Sequence, residues 1–174
     1  MSKKSGGILP FRFQGNHLEV FLVHPGGPLW AGKDEGAWSI SKGLFEEKET
    51  PLDAAKREFR EETGFEIDGD FIDLGRIKQP SGKTVFAWAV EKNLDERSIV
   101  SNNFTFEWPR RSGIMQDFPE IDRAGWFNIE SARKKILKGQ QGFIDRLLYA
   151  LDHPNTNMHY PKISQDEFIS IERS

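Results

Sequence analysis

The sequence predicts an α+β fold in which helices pack on a mixed sheet. Three observations carry this. Apolar runs of strand composition, such as HLEVFLVHP and KTVFAWAVEK, occur among a few segments of helical periodicity. Gly, Pro and Asn punctuate the boundaries, as in QGN and PGGP. A chain of 174 residues with 37% hydrophobic content, Phe 14 and Trp 5 is long and apolar enough for one compact domain with a real core.

The elements follow in order. Gly7 to Phe13 is a short apolar run ending at QGN, and HLEVFLVHP follows as a strand, so a hairpin is expected about Gly15 and Asn16. PGGPLWAGKDEGAW, with Trp30 and Trp38 embedded, reads as a loop whose glycines let backbone approach a ligand. WSISKG is a brief extended stretch. The first clear helix starts after Thr50, its N-cap, with Pro51 in the first helical position and Asp53 completing a capping-box-like pattern. Leu52, Ala55 and Phe59 share a core-facing side, and Gly64 is the C-terminal stop. FEI and FIDLGRIKQ then lead to KTVFAWAVEK. FTFEWP is a strand stopped by Pro109, RRSGIMQDFPEID a polar loop and AGWFNI a further strand. IESARKKILKG is a helix ended by Gly139, and FIDRLLYALD a second amphipathic helix. The domain is expected over residues 1–152, with a Pro-containing tail over residues 153–174.

A net charge of -3 supplies no global field for nucleic acid, so a nucleic-acid partner is disfavoured and an anionic ligand must be met by local cations or bound metal. Cys 0 excludes disulfides and thiolate–metal sites, which suits a reducing interior. No apolar run approaches membrane-spanning length. The expectation is a soluble cytoplasmic protein.

One stretch is a poor choice for helix stability alone. In REFREETG, Glu58, Glu61 and Glu62 crowd a helix C-terminus, where the macrodipole disfavours negative charge. Glu58 and Glu62 are also a like-charge i,i+4 pair, a cost of about 0.2–0.5 kcal/mol.

The surrounding segment, GLFEEKETPLDAAKREFREETGF, resembles the Nudix hydrolase box, G-x5-E-x7-R-E-U-x-E-E-x-G-U with U a bulky apolar residue. Gly43, Glu49, Arg57, Glu58, Phe59, Glu61, Glu62, Gly64 and Phe65 fill its fixed positions. The resemblance implies an α/β/α sandwich on a mixed sheet and metal-assisted hydrolysis of a phosphoanhydride. Hard cations such as Mg²⁺, with Mn²⁺ as the alternative, prefer carboxylate oxygen and would neutralise the crowded Glu58, Glu61 and Glu62, which project to one side of the helix. The resemblance adds the backbone carbonyl of Lys42 as a ligand and pairs Arg57 with Glu49. Gly43 and Gly64 are read as backbone requirements, Phe59 and Phe65 as core. Glu58 is the first choice for the base that takes water's proton, and Glu120, in FPEID, is the candidate outside the box, with an ordinary loop carboxylate an equal reading.

For the rest of the substrate, SISKG resembles the Pro-Lys-Gly that precedes the box in animal-type diadenosine tetraphosphate hydrolases, with Ser41 in place of proline. Lys42, Lys33 and Arg12 are candidates for outer phosphates, and Trp30 and Trp38 for stacking on a nucleobase, with packing an equal reading for each tryptophan. Arg110 and Arg111 read as solubilising loop residues, and His17, His24, His153 and His159 show no metal-ligand spacing. FTFEWPRRSGIMQDFPEIDRAGWF resembles bacterial predicted nucleotide pyrophosphohydrolases. The expected substrate is a nucleoside diphosphate linked to another moiety, dinucleoside polyphosphates slightly favoured. Nucleoside triphosphates, ADP-sugars, RNA 5′ ends and a catalytically silent nucleotide-binding module are the alternatives. Isoprenoid diphosphate isomerase chemistry is set aside, because its usual catalytic cysteine has no counterpart in a chain with Cys 0.

Overall fold

Strand β1 (Lys4–Gln14) organises the sheet in the computed structural model, which describes residues 3–154. One edge pairs in parallel with β5 (Thr84–Glu91). The other edge is divided, with Ser5–Ile8 antiparallel to β3 (Ser41–Leu44) and Phe11–Gln14 antiparallel to β2 (His17–Pro25). Outside these lie β4 (Ile72–Lys78) on β5 and β8 (Ile121–Asn128) on β2, both antiparallel. One parallel pair among antiparallel neighbours makes the sheet mixed.

Both faces are covered, which explains why β1 and β2 read as continuous apolar runs rather than alternating ones. Successive side chains point to opposite faces. Leu9, Val20 and Leu22 enter one core with Ala132 of α2 (Ile129–Lys135) and Phe143, Ile144 and Leu147 of α3 (Gln141–Asp152). Ile8, Phe21 and Val23 enter the other with Ala55 and Phe59 of α1 (Pro51–Thr63). The α/β/α sandwich is therefore the observed architecture. Among the described residues no helix is long and apolar enough to cross a membrane.

The local signals of α1 act as expected. The Thr50 hydroxyl accepts from the Asp53 N–H, Pro51 opens the helix, and Gly64 closes it at φ 80° with its N–H donating to the Arg60 carbonyl at 2.7 Å.

Two expectations are corrected. RRSGIMQDFPEID is not all loop. Met115–Pro119 forms β7, paired antiparallel with β6 (Asn103–Glu107) in a ribbon separate from the main sheet, and Ile121 already belongs to β8. Its polar composition reflects a strand whose outer face meets water, and its hydrogen-bonding partner lies on another segment. The helix read through to Gly139 stops at Lys135, because Ile136 turns extended into the core and Leu137 N–H bonds the Trp38 carbonyl at 2.7 Å. The expected tail lies outside the described residues apart from His153 and Pro154, as does His159.

Phe59 is fully buried against Phe21. Phe59→Ala is expected to cost about 3–5 kcal/mol, and Leu52→Ala, half-buried at the rim, clearly less. Urea titrations of both variants check this.

Candidate active site

The site is built where the C-terminal half of α1 passes β3. Arg57 holds it together: its guanidinium donates to both carboxylate oxygens of Glu49 at 2.8 and 3.0 Å, and to Glu58 at 2.8 Å, Glu61 at 3.1 Å and the Leu44 carbonyl at 3.1 Å. Within the chain, this one arginine offsets the crowding of Glu58 and Glu61. Glu49 is held below the usual carboxylate range chiefly by its bonds to Arg57, which is itself pushed up by the same bonds. Gly43 serves the site through space. A Cβ there would lie 1.9 Å from the Glu58 carboxyl carbon, so Glu58 lies directly over its bare α-carbon. This corrects the reading of Gly43 as a backbone requirement. Gly64 keeps that role.

Glu62 lies deeper. Its Oε2 is buried without a hydrogen-bond partner, as is the Ser41 hydroxyl. Desolvation pushes its carboxyl up to about 8, and Glu58 adds to the rise. Ser41 and Lys42 oppose it, but Ser41 closes no bond of good geometry. Lys42 is pulled down by its own burial, with Glu62 and Glu58 working against that. Glu58 is raised by burial against the pull of Arg57, and Glu120 is raised by burial and by Glu58 and Glu61. Four carboxylates from two segments thus share one electrostatic field.

Backbone bonds place the second segment there. The Glu61 and Thr63 carbonyls accept from Asn102 N–H at 2.9 Å and Val100 N–H at 2.8 Å, so the chain entering β6 is fastened to the end of α1. At the same end of the ribbon, where β7 closes beside the entry to β6, Glu120 bonds Asn102 and Gly26 through its backbone. A cavity of about 370 Å³ results, bounded by residues 25–30, Phe104 and Phe106, with Glu62 and Glu120 in its wall. That size falls within the range of small-molecule sites, roughly 300–1,000 Å³.

The NUDIX domain family model matches residues 2–147. The chain belongs to the Nudix hydrolase family. Solved structures share its fold. The NUDIX domain of Shewanella oneidensis NrtR, in a cocrystal structure with ADP ribose, aligns at TM-score 0.60 and 13% identity over 87% of this chain and 89% of that one. A C. elegans Ap4A hydrolase binary complex aligns at TM-score 0.60 and 18% identity over 86% and 98%. A MutT/nudix family protein from Enterococcus faecalis aligns at TM-score 0.52 and 15% identity, with 74% of this chain covering 44% of that longer one. No curated protein matches the sequence closely enough to count as a relative. With every box carboxylate present, the chain is a Nudix pyrophosphohydrolase.

Nudix enzymes generally use divalent metal ions. The donor set here fits one: carboxylates grouped within a turn of helix, with the buried Glu62 Oε2 lacking any partner. Among the described residues, no three acidic, His or Cys side chains close on a common point. Arg57 holds Glu58 and Glu61 instead.

The structure brings Lys42, Glu58, Glu61, Glu62, Glu120 and Trp30 together and leaves other candidates elsewhere. Trp38 is only 5% exposed, its indole N–H donates to Asp34 at 2.8 Å, and its ring packs edge-on against His24 and Phe127, so it is a core residue and cannot receive a base. Arg12 bonds Glu19 and Asn93 and lies 4.3 Å from the Trp126 ring centroid. It lies five residues along β1 from Gly7, the partner of Lys42, roughly 16 Å away at strand rise, so it does not serve the phosphates. The Lys33 ammonium sits 4.9 Å from the Trp30 ring centroid and supports that ring.

Sequence reasoning missed Phe104 and Phe106 as cavity walls, although the alternation in FTFEW placed them on one face. It also passed over His24. That ring is fully buried in β2, 2.8 Å from Asp122 Oδ1 and 2.7 Å from the Lys33 carbonyl, joining the loop of Trp30 to the strand that follows Glu120. Nothing local distinguishes such a histidine.

Gly43→Ala forces only the end of the Glu58 side chain to move, so the fold is expected to survive with a small change in melting temperature, while turnover falls about tenfold or more. Paired melting and turnover assays test this. Because the native Glu62 carboxyl titrates near 8 rather than at its ordinary 4.5, the native state holds the extra proton across that window, and stability falls as pH rises through it. In chelator-treated protein, Glu62→Gln is therefore expected to gain stability relative to wild type as pH increases, read from melts at about pH 5 and pH 8.

Proposed function

We propose that this Nudix enzyme hydrolyses, with Mg²⁺ or Mn²⁺, a phosphoanhydride in a nucleoside diphosphate joined to another group, dinucleoside polyphosphates slightly favoured. The observation that carries this is the orphaned, buried Glu62 Oε2 beside Glu58 and Glu61, at the wall of a cavity that also holds Trp30. The Ap4A hydrolase and the ADP-ribose-bound NUDIX domain among the structural neighbours concern nucleoside diphosphate derivatives of this kind.

Glu58, Glu61, Glu62 and the Lys42 carbonyl would hold the cation, which supplies stabilisation of charge on the attacked phosphate and its leaving group. Arg57 positions Glu58 and Glu61, and Glu49 positions Arg57. Lys42 brings positive charge close to Glu62, where it can also meet a phosphate oxygen. For the proton of the attacking water, Glu120 is the better base. Glu58 is held by Arg57 and pressed over Gly43, whereas Glu120 lines the cavity with its carboxyl raised by burial and neighbouring charge.

A panel of dinucleoside polyphosphates, nucleoside diphosphate sugars, nucleoside triphosphates and phosphate monoesters tests the reading. Anhydrides are expected to be cleaved and monoesters left intact. Glu62→Gln and Glu120→Gln should each lower kcat roughly hundredfold or more. Full turnover in Glu62→Gln would remove that carboxylate from the metal site, and full turnover in Glu120→Gln would return the base to Glu58.

A further inference from the structure

The β6–β7 ribbon carries an aromatic face that the hydrolytic chemistry does not account for. Alternation along β6 puts Phe104 and Phe106 on one face, with Trp108 continuing it, and the facing strand contributes Phe118. The rings form a ladder: Phe104 to Phe118 at 6.0 Å, Phe104 to Phe106 at 6.2 Å, and Phe106 stacked on Trp108 at 6.4 Å with 26° between planes. A two-stranded ribbon outside the main sheet has no core of its own to hide such a face, and all four rings stay half-buried. Phe104 packs over Gly27, and Phe106 borders the cavity that Trp30 also lines. The ladder is thus continuous with the wall that carries Glu62 and Glu120.

We propose that this ladder and Trp30 clasp the planar base of the substrate, and that the enzyme reads the presence of a base rather than its identity. The inference rests on the hydrolysis of nucleoside diphosphate derivatives proposed above. Beyond its aromatic rings the cavity is lined by Pro, Gly and Leu29, and its charged side chains are Glu62 and Glu120, which the hydrolytic reading assigns to the cation and to the attacking water. Backbone donors are scarce as well. Pro25 and Pro28 have no N–H, and those of Gly26 and Trp30 are already bonded to the Glu120 and Gly27 carbonyls, which leaves Gly27 and Leu29 as the backbone donors of that loop. A site that discriminates bases does so with polar groups matched to their edges, whereas stacking accepts any base because each has a π-face. This lining offers the second kind of recognition.

The test uses the linked group that the substrate panel shows to be cleaved best. Its adenine, guanine, cytosine and uracil forms are compared with an abasic analogue in which hydrogen replaces the base. The kcat/KM values of the four base-containing forms are expected to agree within about tenfold, with the abasic form lower by about tenfold to a hundredfold. Phe106→Ala should raise KM severalfold for all four alike, and Phe106→Tyr, which keeps the ring, should restore it. A merely structural residue would not show that pattern. An abasic form cleaved as well as the rest, or one base preferred beyond about a hundredfold, would overturn the inference while leaving the hydrolytic reading intact. If no anhydride is cleaved, calorimetry with α,β-methylene nucleoside diphosphates and Mg²⁺ separates the two. Base-tolerant binding weakened by Phe106→Ala would keep the clasp and discard the hydrolysis, and no binding would discard both.

Discussion

Like charge concentrated at the end of one helix is the constraint on which the rest of the structure depends. Glu58, Glu61 and Glu62 occupy the end of α1 where the backbone dipole already presents negative potential. Within the protein alone the answer is Arg57, and its reach has structural consequences. In bonding Glu49 and the Leu44 carbonyl as well as Glu58 and Glu61, it ties the turn after β3 to the helix. Glu62 lies outside that reach and is left to burial, so it keeps its proton at neutral pH. The fold therefore tolerates the charge at α1 in two ways, one by pairing and one by protonation. A divalent cation would relieve both.

The same helix end anchors the β6–β7 ribbon and the segment that returns to Glu120. Carbonyls at a helix C-terminus need partners, and here two of them accept from Val100 and Asn102, at the point where the chain leaves for β6. Glu120 returns at the close of β7, bonded through its backbone to Asn102 and Gly26. The bonds that satisfy the end of α1 thus also set the distance between the carboxylates and the aromatic ribbon. The acidic group and the cavity wall share one mechanical anchor, and a displacement of α1 would move both.

How much of this was legible in the sequence depended on how local each feature is. The caps of α1, its core face and the clustering of its glutamates were readable, because they depend on spacings within a few residues along one helix and the turn before it. The Arg57–Glu49 pairing, now seen in the structure, was implied only by the resemblance to the Nudix box. Trp30 and Trp38 looked equivalent, eight residues apart in one Gly-rich loop, yet one lines the cavity and the other packs in the core. The difference lies in Phe127 and His24, which close around Trp38 from distant strands. Arg12 was an equally open candidate until Glu19, across the hairpin, and Asn93 claimed it.

The sequence by itself determined which residues can bind a hard cation and the helix that carries them, since a carboxylate's chemistry and the helical period need no tertiary partner. The α/β/α layering was implied by the resemblance to the Nudix family, and the unbroken apolar runs of β1 and β2 are its physical counterpart, since both faces of the sheet are covered. Only the tertiary structure decided that β6 and β7 form a ribbon beside α1, that Gly43 must be bare beneath Glu58, and that Glu120 joins the acidic group from outside the box. These contacts span segments whose separation along the chain carries no periodic signal, and they are set by strand pairing and by backbone bonds between distant residues.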